Sequence, residues 1–438
     1  MRRRWSNWGR SAQAEFAAVA RPRDEDALAA TIRSAARAGQ RVRALGAGHS
    51  FTPAAVTDGV SVRLDHVTGL WAVDEDAGLV TVGAGTRLRD LPGLLRPYGL
   101  AMENLGDIDV QTIAGAISTG THGTGSAFTG IAGQVRGLRI ALADGTLVDC
   151  SPQLRRDLFE AARLGLGAFG VLVSVTLQCV PAFQLAAHEH AVPLDGVLEG
   201  YAELVRSEDH LDLYWFPHTR TALVKANRRE ASPGAAQPLG AWRAWWEDEF
   251  VSNGLLALVS EIGAAAPSAV PVLNRIAAAT VAERRYTGDS HAVFTAPRRV
   301  RFREMEYAIP LAALPDAVRE IRRTIDARGW RISWPLEIRT AAADDVWLST
   351  AYERDSAYVA VHRYVRDPFV AYFREVEEVL LAFGGRPHWG KLHTQSVGEL
   401  SARYPRLDDA RRVRREVDPA GTFANRYVDR VLGSVTSA

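Results

Sequence analysis

The chain has 438 residues, too many for one ordinary hydrophobic core, so two domains or one domain with a large excursion is expected. Its 47% apolar and 24% charged residues are the make-up of a folded protein and argue against disorder. Lys and Arg total 52 against 51 for Asp and Glu, and the resulting charge of +1 offers no broad basic field for nucleic acid.

Nearly all the positive charge is arginine, with lysine only at Lys225 and Lys391, so each lysine draws attention. Cys150 and Cys179 are the only cysteines, which leaves neither a multi-disulfide framework nor a cysteine zinc site, and no metal site is expected. The start, Met1 to Ser6, is charged without an apolar run behind it and does not read as a signal peptide. The most apolar stretch, Leu255 to Ala279, is broken by Glu261, Pro267, Pro271 and Arg275 and is too interrupted to span a bilayer. A cytoplasmic location is expected, with peripheral attachment to a membrane left open.

Residues 24–38 place apolar side chains at helical spacing behind an acidic start, with Gly39 as the stop. The alternating strand 41–45 runs into Gly46-Ala47-Gly48-His49-Ser50-Phe51, and further strands are expected at 60–64, 70–73 and 79–82. Short strands between Gly and Asp turns indicate an α+β domain. A helix is expected over 88–96. The Gly, Ser and Thr stretch 115–125 has no amphipathic period and suits backbone lying close to a ligand better than packed helix. A hairpin around Asp144-Gly145 joins 135–141 to 147–148, a helix covers 154–164, and a strand covers 171–180. Pro181 offers a domain boundary. The texture then changes to fewer glycines and more tryptophans, with 220–240 as an exposed connection, until the turn-rich run 418–425. Trp242, Trp245 and Trp246 have partial helical spacing and read as packing in the middle region or a subunit contact.

Gly165-Leu166-Gly167-Ala168-Phe169-Gly170 has the letters of a dinucleotide fingerprint, but its predicted order is helix before and strand after, the reverse of what a pyrophosphate at a helix N-terminus requires. A tight turn or a different flavin contact is expected there. Gly46–Phe51 is better placed, because glycines after a strand let backbone N–H groups converge on a diphosphate. With 115–125 it makes two permissive loops able to bracket a long dinucleotide. In Trp334-Pro335-Leu336-Glu337-Ile338-Arg339, extended backbone puts Glu337 and Arg339 on one face, as a surface ion pair or as part of a site.

Four ordered motifs are specific together: Gly-Ala-Gly-His49-Ser-Phe-Thr, Gly106 to Gly115 (GDIDVQTIAG), Thr119 to Gly125 (TGTHGTG), and His388-Trp389-Gly390-Lys391. With Phe302 to Pro310 (FREMEYAIP), they resemble the aldonolactone oxidases and dehydrogenases of the vanillyl-alcohol-oxidase-type flavoproteins, relatives of the alditol oxidases, over almost the whole chain. The resemblance implies a two-domain α+β flavoprotein: an FAD-binding domain over 1–180, a substrate cap over 181–410, and a C-terminal segment, 411–438, returning to the FAD-binding domain. It implies FAD attached covalently through His49, an unprotonated imidazole being a credible nucleophile near neutral pH.

Cofactor contacts are expected from Arg43, Ala44, Leu45, Gly46, Ala47, Gly48, His49, Ser50, Gly115, Ser118, Thr119, Gly120, His122, Gly123, Gly170 and Val171; His122 reads equally as a structural hydrogen-bonding residue. The resemblance places Glu337 and Arg339 beside the flavin, Arg339 to stabilise developing negative charge and Glu337 to hold hydroxyls and orient it. Lys391 is expected to bind the lactone oxygen or assist deprotonation, with His388, an aromatic wall from Trp389, Asp109 and an inward-facing His362 on the substrate side. The expected reaction is oxidation at C2 of L-gulono-1,4-lactone or D-arabinono-1,4-lactone, with electrons passing to oxygen or another acceptor. Oxidation of xylitol or sorbitol is the rival, and a flavin-binding protein without catalysis the alternative of another class. Oligomeric state is not legible.

Overall fold

The computed structural model describes residues 3–230, 254, 256–296 and 298–435; Trp242, Trp245 and Trp246 lie outside them, as does the second half of the connection expected over 220–240. The N-terminal part holds two larger sheets beside the two-stranded pairs Arg3–Ser6 with Gln13–Phe16 and Leu100–Ala101 with Val180–Pro181. One is parallel, in the order Ala18–Ala20, Val60–Val62, Val42–Ala44; the other is antiparallel, in the order Leu147–Cys150, Val135–Ala141, Val171–Gln178, Leu79–Gly83, Leu70–Asp74. The expected first helix is Glu25–Arg37. Asp24 caps it by accepting from the Ala27 N–H at 2.8 Å, and Leu28, Ala29, Ile32 and Ala35 form its buried stripe.

A larger antiparallel sheet follows, in the order Arg284–Asp289, Gln184–Pro193, Thr221–Arg229, His210–Trp215, Leu336–Ala341, Ser356–Tyr364, Phe302–Pro310, Arg386–Pro387. Alternation divides its two faces. Leu211, Leu213, Trp215, Met305, Tyr307, Leu336, Ile338, Val359 and Val361 pack with helices Leu314–Arg328 and Val370–Ala382 in one core. The alternate residues of the same strands, Asp212, Tyr214, Glu304, Glu306, Glu337, Arg339 and His362, are therefore displayed together on the opposite face. Burying each large apolar side chain contributes about 1.5–3 kcal/mol, and this holds the polar face in fixed register.

Several expectations are corrected. Residues Ile113–Thr119 of the Gly, Ser and Thr stretch are helical: Thr112 accepts from the Gly115 N–H at 3.2 Å, Ile113, Ala116 and Ile117 are buried, and Gly120 ends the helix in the left-handed region at φ 80°. Only the chain beyond it is irregular. Thr221–Arg229 is an interior strand and not an exposed connection, because Ala222, Val224 and Ala226 alternate into the core while Lys225 and Arg229 find partners. The 88–96 helix is divided into a 3₁₀ turn, Leu88–Asp90, and a short helix, Leu91–Leu95, with Pro92 in its first turn. Both cysteines are free and buried.

The C-terminal chain joins the N-terminal core. Leu400, Tyr404, Phe423, Tyr427 and Val428 pack with Leu28, Val42 and Val62, and the same core also takes in Val346, Trp347, Leu348 and Trp389. The Val42 N–H donates to the Thr422 carbonyl at 2.7 Å, and the buried Arg43 guanidinium donates to the carbonyls of Ala54, Leu166, Gly167 and Phe423. No helix among the described residues is long and apolar enough to cross a membrane.

Candidate active site

Two cavities meet beneath the large sheet, and His49, Ser50, Gln111 and Thr119 line both. The first, of about 120 Å³, is lined largely by small residues and backbone: Arg43 to Ser50, Gly85, Thr112, Gly115, Ser118, Thr119, Leu166, Gly167 and Gly170. Side chains are excluded at its narrowest points. A Cβ on Gly46 would lie 2.6 Å from Thr112 Oγ1, one on Gly85 would run into the Leu64 carbonyl, and Gly48 needs φ 73°. Such a trough fits an extended dinucleotide approaching backbone N–H groups, and it opens at His49 into the second cavity, of about 610 Å³.

The second cavity lies against the polar face of the sheet. Glu337 and Arg339 are both nearly buried, with Glu337 Oε1 at 2.5 Å from Arg339 Nη2; Asp212 accepts from Arg339 Nε at 2.8 Å, and Asp107 lies 3.6 Å from the same guanidinium. Burial alone would lower the Arg339 pKa, but Glu337, Asp212 and Asp107 raise it well above the ordinary value, so the group is permanently cationic. Asp107 is held well below the usual carboxylate range, because Arg298, at 2.6 Å, and Arg339 outweigh burial. Glu337 moves the other way: burial, only partly offset by Arg339, raises its pKa.

A second cluster surrounds Lys391, whose ammonium contacts Glu304 and lies 3.6 Å from Glu306. Burial would lower the lysine pKa, yet the two carboxylates raise it. Both glutamates titrate below the ordinary range although burial opposes this, Glu304 through Lys391 and His362, Glu306 through Lys391 and His122. His362 donates from Nδ1 to the Pro335 carbonyl at 3.1 Å while Nε2 faces Glu304 at 3.5 Å and Glu337 at 3.9 Å; these carboxylates raise its pKa against the effect of burial. His388 is the opposite case. Its Nδ1 accepts from the Gly390 N–H, its Nε2 donates to the Gly120 carbonyl, and burial brings its pKa down to about 4.

The arrangement thus holds Arg339 and Lys391, each gripped by carboxylates, over a cavity that opens on His49, with Arg298 paired to Asp107 beside them. It can bind hydroxyls and stabilise oxygen anions without reorganising. Residues 175–431 match the D-arabinono-1,4-lactone oxidase family, and residues 16–151 match an FAD-binding domain. The chain belongs to the aldonolactone oxidase and dehydrogenase family of vanillyl-alcohol-oxidase-type flavoproteins. It is an FAD-dependent oxidoreductase. It is 41% identical to an L-gulono-1,4-lactone dehydrogenase of Mycobacterium tuberculosis, covering 98% of this chain and 99% of that one. An L-gulonolactone oxidase of Bos taurus is 30% identical and a Streptomyces alditol oxidase 32% identical, each over 98% of both chains. Cholesterol oxidase from Brevibacterium sterolicum shares the fold, with a TM-score of 0.83 at 17% identity over 99% of this chain and 97% of that one.

Within this aldonolactone oxidase framework, Arg43 to Ser50, Gly115, Ser118, Thr119 and Gly170 line the first cavity, although the Arg43 guanidinium is committed to backbone carbonyls. His122, Glu337, Arg339, His362, His388 and Lys391 line the second. Five expected residues stand apart. Gly120 borders only a small side cavity; Gly123 lies against Asn104 and the Leu105 carbonyl; Val171 pairs with Ala141 inside a sheet; Trp389 is fully buried, donating to the Leu348 carbonyl against Tyr404, so it is no wall of the second cavity. Asp109 also lies outside the cavity lining and faces His291 at 3.3 Å. Asp107, two residues earlier, takes the inward position.

Sequence reasoning missed Asp107, Asp212, Arg298, Glu304 and Glu306 as site residues. Alternation through Phe302 to Pro310 was the available signal, since it puts both glutamates on one face opposite Met305 and Tyr307. Donor atoms of His122, Glu306 and His388 lie within 4.8 Å of one another, a metal-capable grouping among the described residues. Their ring nitrogens already bond the Gly123 and Gly120 carbonyls, the Gly390 N–H and Glu306 itself, with Lys391 alongside. The grouping is a hydrogen-bonded cluster in the cavity wall.

Proposed function

We propose that this chain oxidises the C2 hydroxyl of an aldono-1,4-lactone, L-gulono-1,4-lactone or D-arabinono-1,4-lactone, using FAD covalently attached through His49. Residues 1–180 and 411–438 would carry the cofactor and 181–410 the cap. When bound, FAD supplies the hydride acceptor, at N5, and passes the electrons on to oxygen or another acceptor. The observation that carries the reading is Arg339, fixed by Glu337, Asp212 and Asp107 at the wall of the cavity that opens onto His49.

Arg339 stabilises the oxygen that loses its proton as the C2 hydrogen departs, and its rigid fork fixes the direction of that support. Glu337 accepts a substrate hydroxyl hydrogen bond; its raised pKa moves it toward the range in which a carboxylate serves as proton acceptor. Lys391, kept charged by Glu304 and Glu306, binds the lactone oxygen; His362 faces the cavity beside Glu337, while His388, whose two ring nitrogens are taken by the Gly120 carbonyl and the Gly390 N–H, fixes the turn that presents Lys391. His49 suits attachment because burial, reinforced by Arg87, brings its pKa down to about 4 and leaves the imidazole neutral.

Similarity to the Streptomyces alditol oxidase supports the second reading, oxidation of xylitol or sorbitol. Steady-state assays with gulonolactone, arabinonolactone, galactonolactone and xylitol, each with oxygen or a dye, separate the two. Anaerobic addition of the right lactone should bleach the flavin absorbance. Failure of every substrate in the panel to do so would overturn the proposal.

A further inference from the structure

His49 stands at the junction of the two cavities, yet among the described residues no side-chain hydrogen bond holds either of its ring nitrogens. Its one ring contact there is Trp8, stacked at 5.5 Å between centroids with the planes 20° apart. An imidazole is normally oriented by a hydrogen bond at one nitrogen, which selects the tautomer and occupies that atom. A stack defines the ring plane and leaves the nitrogens unoccupied.

Trp8 is itself firmly placed. Its backbone N–H donates to the Gly48 carbonyl at 2.9 Å, and its ring stands edge-on to Phe302 at 5.0 Å and to Phe51 at 6.3 Å. The preceding Asn7 donates to the Ser50 carbonyl at 2.8 Å, and Ser11 donates to the Phe51 carbonyl at 2.7 Å. A Cβ on Gly9 would lie 2.7 Å from the Phe51 ring, so the turn carrying Trp8 lies directly on the His49 loop. Phe302 belongs to the large sheet, so the indole is clamped between the cofactor loop and the cap.

We infer that Trp8 is a positioning residue for flavin attachment, its indole setting the plane of the His49 imidazole so that a ring nitrogen with a free lone pair faces the flavin 8α carbon. The inference rests on the covalent reading of His49. In attachment one imidazole N–H and one 8α-methyl C–H are lost and an N–C bond forms. The two electrons and two protons leave the flavin for dioxygen, giving hydrogen peroxide.

The test compares wild type with Trp8→Leu, Trp8→Phe, Phe302→Leu and His49→Ala, each incubated aerobically with added FAD. Total bound flavin is measured by absorbance, and attached flavin by its retention in the acid-precipitated pellet and by the intact chain mass. Trp8→Leu should bind flavin but attach it about tenfold more slowly, as expected for a misdirected nucleophile. Trp8→Phe, which keeps a stacking face, should recover the rate to within about threefold. Should Trp8→Leu not fold, Phe302→Leu decides, since it removes the edge contact on Trp8 together with the Phe302 contacts to Phe51, Trp334 and His362, and should still slow attachment. Wild-type attachment rates in Trp8→Leu, or in Phe302→Leu where that variant decides, overturn the role of Trp8 while leaving His49 standing. Release of all flavin from acid-treated wild type overturns the covalent reading, and this inference with it.

Discussion

Arg339 has three carboxylates around one guanidinium that is nearly buried, so its charge is expensive to bury and is retained because Glu337, Asp212 and Asp107 neutralise it. Such a group acts without reorganising, and deleting it should cost about 3 kcal/mol of transition-state stabilisation, roughly a hundredfold in rate. Arg339→Ala should therefore slow anaerobic flavin reduction in a stopped-flow experiment by about that factor while the chain still binds flavin. Unchanged reduction would remove Arg339 from the chemistry. His362 makes a pH prediction. Its folded pKa is raised above 6.5, so the stability it contributes is fully present below the unfolded value and is lost as pH rises through the folded one. The difference in thermal midpoint between wild type and His362→Gln should be greatest near about pH 6 and shrink on going alkaline. A difference that stays constant with pH would mean that the imidazole carries no such linkage.

At the scale of elements, the site is a product of strand alternation combined with one unusual helix. Ile113–Thr119 presents Gly115, Ser118 and Thr119 to the first cavity and Ile113, Ala116 and Ile117 to the core, and its start depends on Thr112. Thr112→Val should cost about 1 kcal/mol by losing the cap. It should also bring the change in flavin fluorescence that marks exposure of the ring to lower urea, because the same turn lies against Gly46; a change at an unchanged urea concentration would separate the helix cap from the first cavity. These elements explain what could be read from residues alone. Glu337 and Arg339 were legible because two residues apart in an extended run means one face. The helix was not, since Gly, Ala, Ser and Thr give little apolar contrast for a period to show, and its burial comes from only a few side chains. The strand Thr221–Arg229 was hidden by Lys225, Arg228 and Arg229, although its small apolar residues carry the period. Asp107 and Asp109 occupy irregular chain, where no periodicity tells which carboxylate turns inward. Trp8 left no signal either, because its contact with His49 exists only once two distant turns are joined.

Across the whole molecule the first cavity is lined by the N-terminal chain, and the C-terminal chain braces that lining through Arg43 and the shared core. Arg43 stands at the meeting point. It is buried and directs its guanidinium to carbonyls of the early loop, of the Leu166–Gly167 turn and of Phe423, and burial, with some contribution from Arg414, lowers its pKa to about 9. The tail is in turn shaped by Asp418, which accepts from the Thr422 and Phe423 N–H groups at 2.7 and 2.8 Å, while Asn425 donates to the carbonyls of Pro53, Ala54 and Val56. Removing residues 418–438 would strip the strand Val42–Ala44 of its Thr422 bond and leave Arg43 without the Phe423 carbonyl, while Tyr427, Val428 and Val431 would vacate the first core. Each buried polar group deprived of a partner costs about 1–3 kcal/mol, and the lost apolar packing adds to it. A chain ending at Val417 should therefore purify without flavin and melt well below the full chain. The milder Asn425→Ala should keep the fold but lower both flavin content and thermal midpoint, since the carbonyls of Pro53, Ala54 and Val56 lose the Asn425 amide together. Full flavin content in the shortened chain would show that the N-terminal loops hold the cofactor unaided.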